Sequence, residues 1–481
     1  MSGRTAVLGG GISGLSAAYY LRDNPAFRAI KIIEASNRTG GWLRSRVSLE
    51  GVIFEEGPRT IRPRGPAGSN TLSLVDRLNL SEKIIPISLA HPVAKNRMIY
   101  ADKKLHALPN SLNAMFKVNS PFSRPLVSCL ITDLRAPKLT KEDESLYSFV
   151  ERRLGKDVAD YLISPMVCGI CAGDAKQISV NFLMKSLFEY EQKYGSIIKG
   201  FVKSNWEVFR SKSNKTDGQK LNSNDTNRLS RRAENERWAI WTLRGGLEQL
   251  PTALADNLSS NGVEISLNSK CEELTFTEGG VELKFNERTE EYSRVISSLS
   301  AKSLAPMIHR QHPQLANELT AIPSVTVAVV NLEFAGNVLE QEAFGFLVPP
   351  NEKLPILGVI FDSCILPPKN STVLTVMMGG AWFTKNFGDH PTKEHLLEVA
   401  MHHVKSILHI KADLVAHNVA ILKDCIPQYV VGHEQRIRRI ENYLVKHKLP
   451  LFLCGSSYYG VGLNDVVLSA KQAALAVTQQ C

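Results

Sequence analysis

Thr5-Ala-Val-Leu8-Gly9-Gly10-Gly11-Ile12-Ser13-Gly14 decides the fold. Thr5–Leu8 reads as a short strand, the glycines as a turn, and Leu15–Leu21 as the start of a helix. Ile30–Glu34 supplies a second strand and completes a βαβ unit. The G-x-G-x-x-G spacing gives each glycine a task. Gly9 permits the tight turn, Gly11 admits a pyrophosphate against the backbone, and Gly14 lets helix and strand pack closely. The helix amino terminus then offers free N–H groups and a positive dipole end to phosphate. Glu34 stands twenty residues after Gly14, where a carboxylate accepts the hydroxyls of an adenosine ribose. The same charge repels a 2′-phosphate, which disfavours NADP. The sheet is expected to be parallel, with its ligand outside the carboxyl ends of the strands.

Composition bounds the rest. The chain has 481 residues, 43% of them hydrophobic and 22% charged, which excludes wholesale disorder and a fibrous architecture. That length suggests about three domains. A formal charge of +10 suits anionic partners such as acidic lipid or an anionic substrate. No aromatic-studded RNA motif, helix-turn-helix or zinc finger is visible, so no nucleic-acid partner is expected. Among the eight cysteines only Cys168 and Cys171 are closely spaced. No second pair or nearby histidine completes four ligands; no metal site is expected, and the thiols read as unconnected. No apolar run reaches the ~18 residues that a membrane span needs. Neither a signal peptide nor an Arg/Ser-rich transit leader is apparent, so any membrane contact is expected to be monotopic and any import signal internal.

Residues 140–209 read as mostly helical. Leu183, Leu187, Tyr190, Tyr194, Ile197, Ile198 and Phe201 recur at helical spacing among Lys185, Lys193, Lys199 and Lys203. The segment is either a core-facing helix or one lying in a membrane interface. Ser211–Glu236 is so polar that it reads as an exposed loop, disordered for want of apolar surface to bury. Val325–Phe334, Phe346–Val348, Leu357–Phe361 and Val373–Met378 form a β-rich block. Leu451–Cys454 is a last buried strand, followed by a glycine turn and a helix over Asn464–Val477.

Ser36-Asn-Arg38-Thr-Gly40-Gly41-Trp42 follows Glu34 directly and resembles the R-x-G-G-x signature of the flavin amine oxidase superfamily. That favours FAD over NAD, with Arg38 expected to place a cation near the pyrophosphate. Gly455-Ser-Ser-Tyr-Tyr-Gly460-Val-Gly462-Leu-Asn464-Asp465 precedes a helix whose amino terminus can stabilise charge on a reduced flavin. With Phe54-Glu-Glu-Gly57-Pro58-Arg59, Asn96-Arg97-Met-Ile-Tyr100, Leu243-Arg-Gly-Gly246-Leu and Cys425-Ile426-Pro427-Gln428-Tyr429, these motifs resemble the protoporphyrinogen oxidase family of the animal mitochondrial type from about residue 4 to residue 475.

The resemblance implies an α/β fold. A Rossmann-like, glutathione-reductase-like FAD domain would be built from 1–90, 237–305 and 421–481. A β-rich substrate domain would take 306–420 with part of 50–90, a helical membrane-binding domain 91–210, and the polar loop 211–236. It implies non-covalent FAD held by Gly9 through Gly14, Glu34, Ala35, Trp42, Gly57, Pro58, Arg59, Thr60, Ser456, Val461, Gly462 and Leu463, joined by Arg38. It implies protoporphyrinogen IX as substrate, Arg97 paired with a propionate, and Phe344, Gly345, Leu347, Ile360, Met377 and Ile426 as the apolar pocket. Oxygen would reoxidise the flavin with release of hydrogen peroxide. No catalytic side chain is expected, because hydride transfer belongs to the flavin N5; His433 reads as structural. The setting implied is the mitochondrial inner membrane, approached from the intermembrane-space side without a cleaved presequence and through anionic lipid. A homodimer and hand-over to ferrochelatase stay open. So do two alternatives, an amine oxidase of the same superfamily, for which Cys454 would be a candidate flavin link, and a non-catalytic prenyl-binding dissociation inhibitor.

Overall fold

A computed structural model of the chain describes residues 3–25, 27, 29–213, 228–368 and 370–479, without side chains for 208–213. Its organising element is a five-stranded sheet with Thr5–Leu8 at the centre. Ile30–Ile33 and Arg294–Ser297 flank that strand, and Glu264–Ser266 and Leu451–Leu453 form the edges. Every pairing is parallel, so the sheet gathers strands from distant parts of the sequence. The helix Ile12–Arg22 runs back over it, burying Leu15, Ala17, Ala18 and Leu21. The helix Leu463–Gln479 packs beside it through Val467, Ala470, Ala474 and Val477. Gly14 sets how closely helix and sheet approach: a Cβ there would lie 1.9 Å from the Gly9 carbonyl oxygen. A three-stranded antiparallel meander, Cys271–Thr277, Gly280–Phe285 and Arg288–Tyr292, completes this part.

The β-rich block is a seven-stranded mixed sheet. Ser324–Ala335 pairs with Ser371–Gly380 on one side and Leu414–Pro427 on the other. Ile356–Ile360 and Gly345–Leu347 extend it toward Met98–Ala101 and Lys104–Ala107. Two expected boundaries shift. Strand Leu414–Pro427 runs through residue 420 without a break, because its pairing with Ser324–Ala335 continues to Pro427. The hairpin 98–107 lies in this sheet rather than among the helices. One face is buried under the helix Lys393–Leu408, through Val330, Leu332, Phe334, Val376 and Met378. The other face is only partly covered.

The helical segment is built on buried charge. Arg153 and Asp133 are both fully buried and paired. Asp133 also accepts the N–H groups of Ile197 and Ile198 and the Ser196 hydroxyl. Burial alone would raise the Asp133 carboxyl, but these donors hold it below the usual range. They clamp helix Ser128–Arg135 to helix Ile197–Ser213.

The polar loop is corrected in part. Residues 211–213 continue helix Ile197–Ser213, and Arg228–Asn235 is a helix resting on Gly65–Arg77 through Leu229, Ser230 and Ala233. Residues 214–227 lie outside the described part. No helix among the described residues is long and apolar enough to cross a membrane. The described cysteines are free, with Cys168 and Cys171 buried.

Candidate functional site

Four separated segments converge at the carboxyl ends of the parallel strands. Gly40 N–H donates to the Gly10 carbonyl at 2.8 Å, and Gly40 bridges Gly11. Gly57 is pressed onto this turn: a Cβ there would lie 2.1 Å from the Trp42 carbonyl oxygen. Gly455 approaches from the far end of the chain, its Cβ position 3.3 Å from Ser13 Oγ. Asn464 Nδ2 donates to the Arg62 carbonyl at 2.8 Å, tying the last turn to the loop that follows Thr60.

The cleft they leave suits a dinucleotide. A Cβ on Gly11 would meet only Gly41 Cα, at 3.8 Å, so the backbone there faces open space. The helix Ile12–Arg22 has no side-chain cap and no acidic residue in its first turn, which leaves its amino-terminal N–H groups free for phosphate. Glu34 is poised over the turn, accepting from Gly10 N–H at 2.6 Å and from the Ser36 N–H and hydroxyl at 2.8 and 2.7 Å. Ala35, Trp42, Pro58 and Gly462 are exposed, and Ser456, Val461 and Thr60 half-buried, as residues lining a cleft are. Leu463 is buried beneath the last turn.

Arg38 departs from expectation. Its guanidinium turns onto the carbonyls of Thr39 and Gly41 and onto Glu248 at 3.3 Å. It braces the glycine pair from behind, because carbonyls in a tight turn and a nearby carboxylate satisfy its donors. Arg59 likewise spends its charge on Asp362, at 2.9 Å. Asp362 accepts from Thr375 Oγ1 at 2.6 Å, and Asn331 donates to that hydroxyl at 2.7 Å.

The partly covered sheet face carries a run of apolar side chains that forms a wall. Cross-strand pairing puts Gly345, Ile360, Thr375 and Asn331 in one row, and Leu347, Gly358, Met377 and Val329 in the next. Ile426 sits opposite Val325 and packs against the same buried cluster as Met377. Phe344, Leu347, Ile360, Met377 and Ile426 are all half-buried in an otherwise buried sheet. Gly169, in helix Ser164–Cys171, lets that helix close on the wall, its Cβ position 2.9 Å from Leu347 Cδ2. Arg97 lies at the wall's edge with its guanidinium 5.7 Å from the Phe344 centroid. Ile426 and Val461 pack on one cluster, which joins the wall to the glycine turn. The wall is distinct from a cavity of about 980 Å³ whose lining mixes Glu55, Arg59, Glu333 and Asp362 with apolar residues such as Ile53, Ile365 and Val373, and which includes none of the wall residues.

Tyr429 has a role that its sequence motif does not announce. Its hydroxyl donates to the Ser456 carbonyl at 2.6 Å and accepts from Gly460 N–H at 2.7 Å. His433 is buried against it, and burial lowers its pKa to about 4. Cys454 is fully buried below the turn, and burial raises its thiol to about 12. Glu55 accepts from Leu247 N–H at 2.7 Å and from Ser45 Oγ at 2.9 Å, and burial raises its carboxyl to about 7.

The model of the flavin-containing amine oxidoreductase family matches residues 12–478. A protoporphyrinogen oxidase of Homo sapiens is 37% identical over 99% of this chain and 98% of its own length. One of Schizosaccharomyces pombe is 33% identical over 98% and 97%. A solved structure from Exiguobacterium sp. 255-15 superposes over all of both chains with a TM-score of 0.79 at 22% identity, a likeness of fold.

Proposed function

The chain belongs to the flavin-containing amine oxidoreductase family, with FAD as its cofactor, and we propose that it oxidises protoporphyrinogen IX to protoporphyrin IX, the penultimate step of haem biosynthesis. One observation carries the reading: a half-open apolar wall with the Arg97 guanidinium at its edge adjoins the dinucleotide cleft. A large amphiphilic ring with carboxylate arms needs that combination. The curated relatives carry the same activity in their names over nearly the whole chain.

FAD, when bound, supplies the hydride acceptor, and we infer oxygen as the final acceptor with release of hydrogen peroxide. The residues of the chain bind and orient. Gly9–Gly14, Gly40 and Gly41 bring backbone N–H groups close to the pyrophosphate, with Glu34 at the ribose. Phe344, Leu347, Ile360, Met377 and Ile426 receive the macrocycle and exclude water, and Arg97 holds a propionate. No side chain is assigned as acid or base, since His433 is buried and neutral. The buried, protonated Cys454 supports non-covalent cofactor binding.

We also propose that the helical segment rests in the inner mitochondrial membrane from one side. Leu130, Ile131 and Leu134 are exposed on one helix, and Phe201, Val202 and Trp206 on the helix clamped to it, with Leu112, Phe116 and Val118 exposed nearby in sequence. Lys199 and Lys203 flank the second group, as an interfacial helix on anionic lipid requires.

The direct test supplies purified protein with protoporphyrinogen IX and follows porphyrin fluorescence and oxygen uptake together. Appearance of both is expected. A flavin-loaded protein that produces neither would refute the activity.

A further inference from the structure

The cavity of about 980 Å³ has no part in the chemistry described so far. Its floor continues the sheet face that carries the wall. Alternate residues of a strand share a face, so Val329, Asn331 and Glu333 line up along Ser324–Ala335, opposite Met377, Thr375 and Val373. The apolar part of that face ends at the network of Arg59, Asp362, Thr375 and Asn331. Beyond the network the face carries Glu333.

The polar groups around Glu333 are not matched. The residue is only 1% exposed. One carboxylate oxygen accepts from Ser371 Oγ at 2.8 Å. The other, Oε2, is buried with no hydrogen-bond partner among the described residues. Arg59 lines the same cavity but gives its charge to Asp362 at 2.9 Å, so its unpartnered Nη2 needs only a neutral acceptor. Glu55, also buried in the lining, is held by the Leu247 N–H and the Ser45 hydroxyl, both neutral. A buried carboxylate without a cation is costly. A cation that enters the cavity supplies the partner that these neighbours do not.

The rest of the lining decides the kind of cation. Ile53, Ile365, Pro367, Pro368 and Val373 give it apolar sides. A metal ion needs several converging ligands, and no group of three or more metal-ligating side chains gathers among the described residues. The volume is that of a small-molecule site, apolar with a few placed polar groups. We propose that this cavity binds an organic cation, a protonated amine on an apolar body, with its ammonium on Glu333 Oε2 and its body against Ile53, Ile365 and Val373. The site is separate from the wall, so its ligand binds alongside a porphyrin. The inference stands apart from the reaction assigned under Proposed function.

The test titrates the FAD-loaded full chain with n-hexylammonium chloride by calorimetry. Saturable binding of one equivalent is expected. n-Butylammonium should bind about tenfold more weakly, because two fewer methylenes are buried. Hexanoate, with a similar apolar body and the opposite charge, should not bind. Glu333→Gln keeps an acceptor for Ser371 and removes the charge. It should weaken n-hexylammonium about tenfold or more, the loss of one charged hydrogen-bonded contact, while retained flavin absorbance shows that it folds. If Glu333→Gln does not fold, Val415→Trp takes its place: it adds bulk at the exposed rim of the cavity and should weaken binding likewise. Saturating protoporphyrin IX should leave n-hexylammonium binding intact. No saturable binding to wild type would mean that the cavity holds water only and would overturn the proposal. So would equal binding of hexanoate, unchanged affinity in the variant used, or displacement by protoporphyrin IX. None of these readouts requires turnover, so failure to oxidise protoporphyrinogen IX would sink the proposed activity and leave this site standing.

Discussion

The rings of Tyr429 and His433 lie face to face, 3.9 Å between centroids and 11° between planes. The stack points the Tyr429 hydroxyl across the turn that it pins at Ser456 and Gly460. Tyr429→Phe keeps the stack and deletes the pins, leaving a buried Gly460 N–H without an acceptor. Such a loss costs about 1–3 kcal/mol. Titration of apoprotein with FAD should therefore show affinity lower by about 5- to 150-fold. Unchanged affinity would mean that the hydroxyl only fills space.

Gly11 and Gly14 should fail in different ways. A methyl group at Gly11 finds room in the protein but occupies the cradle, whereas at Gly14 it collides with the Gly9 carbonyl. Gly11→Ala should fold and purify colourless; Gly14→Ala should accumulate as insoluble or easily proteolysed chain. Flavin absorbance and limited proteolysis separate the two. A yellow Gly11→Ala protein would displace the pyrophosphate from this turn.

Replacing Asp133 with Asn removes the nearer of the two carboxylates that face the buried Arg153 guanidinium, leaving Glu191 at 3.6 Å. Breaking one side of a buried pair costs about 3–5 kcal/mol, so urea denaturation at neutral pH should show a loss of that size. The Asp133 carboxyl is held below its ordinary range, so its contribution is complete above about pH 4 and is lost as pH falls through the lowered folded-state value. The gap between variant and wild type should narrow on acidification. A constant gap would assign the loss to packing.

Glu55 works in the opposite sense. Burial raises its carboxyl to about 7, so from about pH 4.5 to 7 the folded protein keeps a proton that the unfolded chain has released. Stability contributed by this group falls as pH rises through that window and levels off above it. Glu55→Gln, which can still accept from Leu247, should lack the decline. Its Tm relative to wild type should gain a few degrees (about 2–4) between about pH 5 and pH 8. Parallel Tm profiles would contradict the raised value.

What was legible in the chain was local. The glycine spacing around residue 11 and the short apolar runs at 5–8, 30–33 and 451–453 announce themselves, because a tight turn and a doubly covered strand each demand particular residues in sequence order. The apolar wall was legible only through family resemblance: from pattern alone Leu347 and Met377 are ordinary β-core, and only cross-strand register aligns them. Strand Leu414–Pro427 escaped notice because its His417, Asn418, Lys423 and Asp424 break any apolar run. Helix Arg228–Asn235 escaped for a similar reason, since Leu229 and Ala233 carry most of its apolar contact. Arg38 was correctly placed in its turn, but no sequence reveals which way a guanidinium swings, and here carbonyls from its own turn claimed it.

The parallel sheet joins segments as far apart in sequence as Thr5–Leu8 and Leu451–Leu453, and this imposes a timetable on synthesis. The strand Leu451–Leu453 and the helix Leu463–Gln479, which cover one flank of the glycine turn, leave the ribosome after the seven-stranded sheet is already complete. A nascent chain stalled before Leu451 has the front half of the cradle and nothing to close it. Cofactor loading is therefore expected to wait for Leu451–Leu453 and Leu463–Gln479, and chains terminated before Leu451 should never be pigmented.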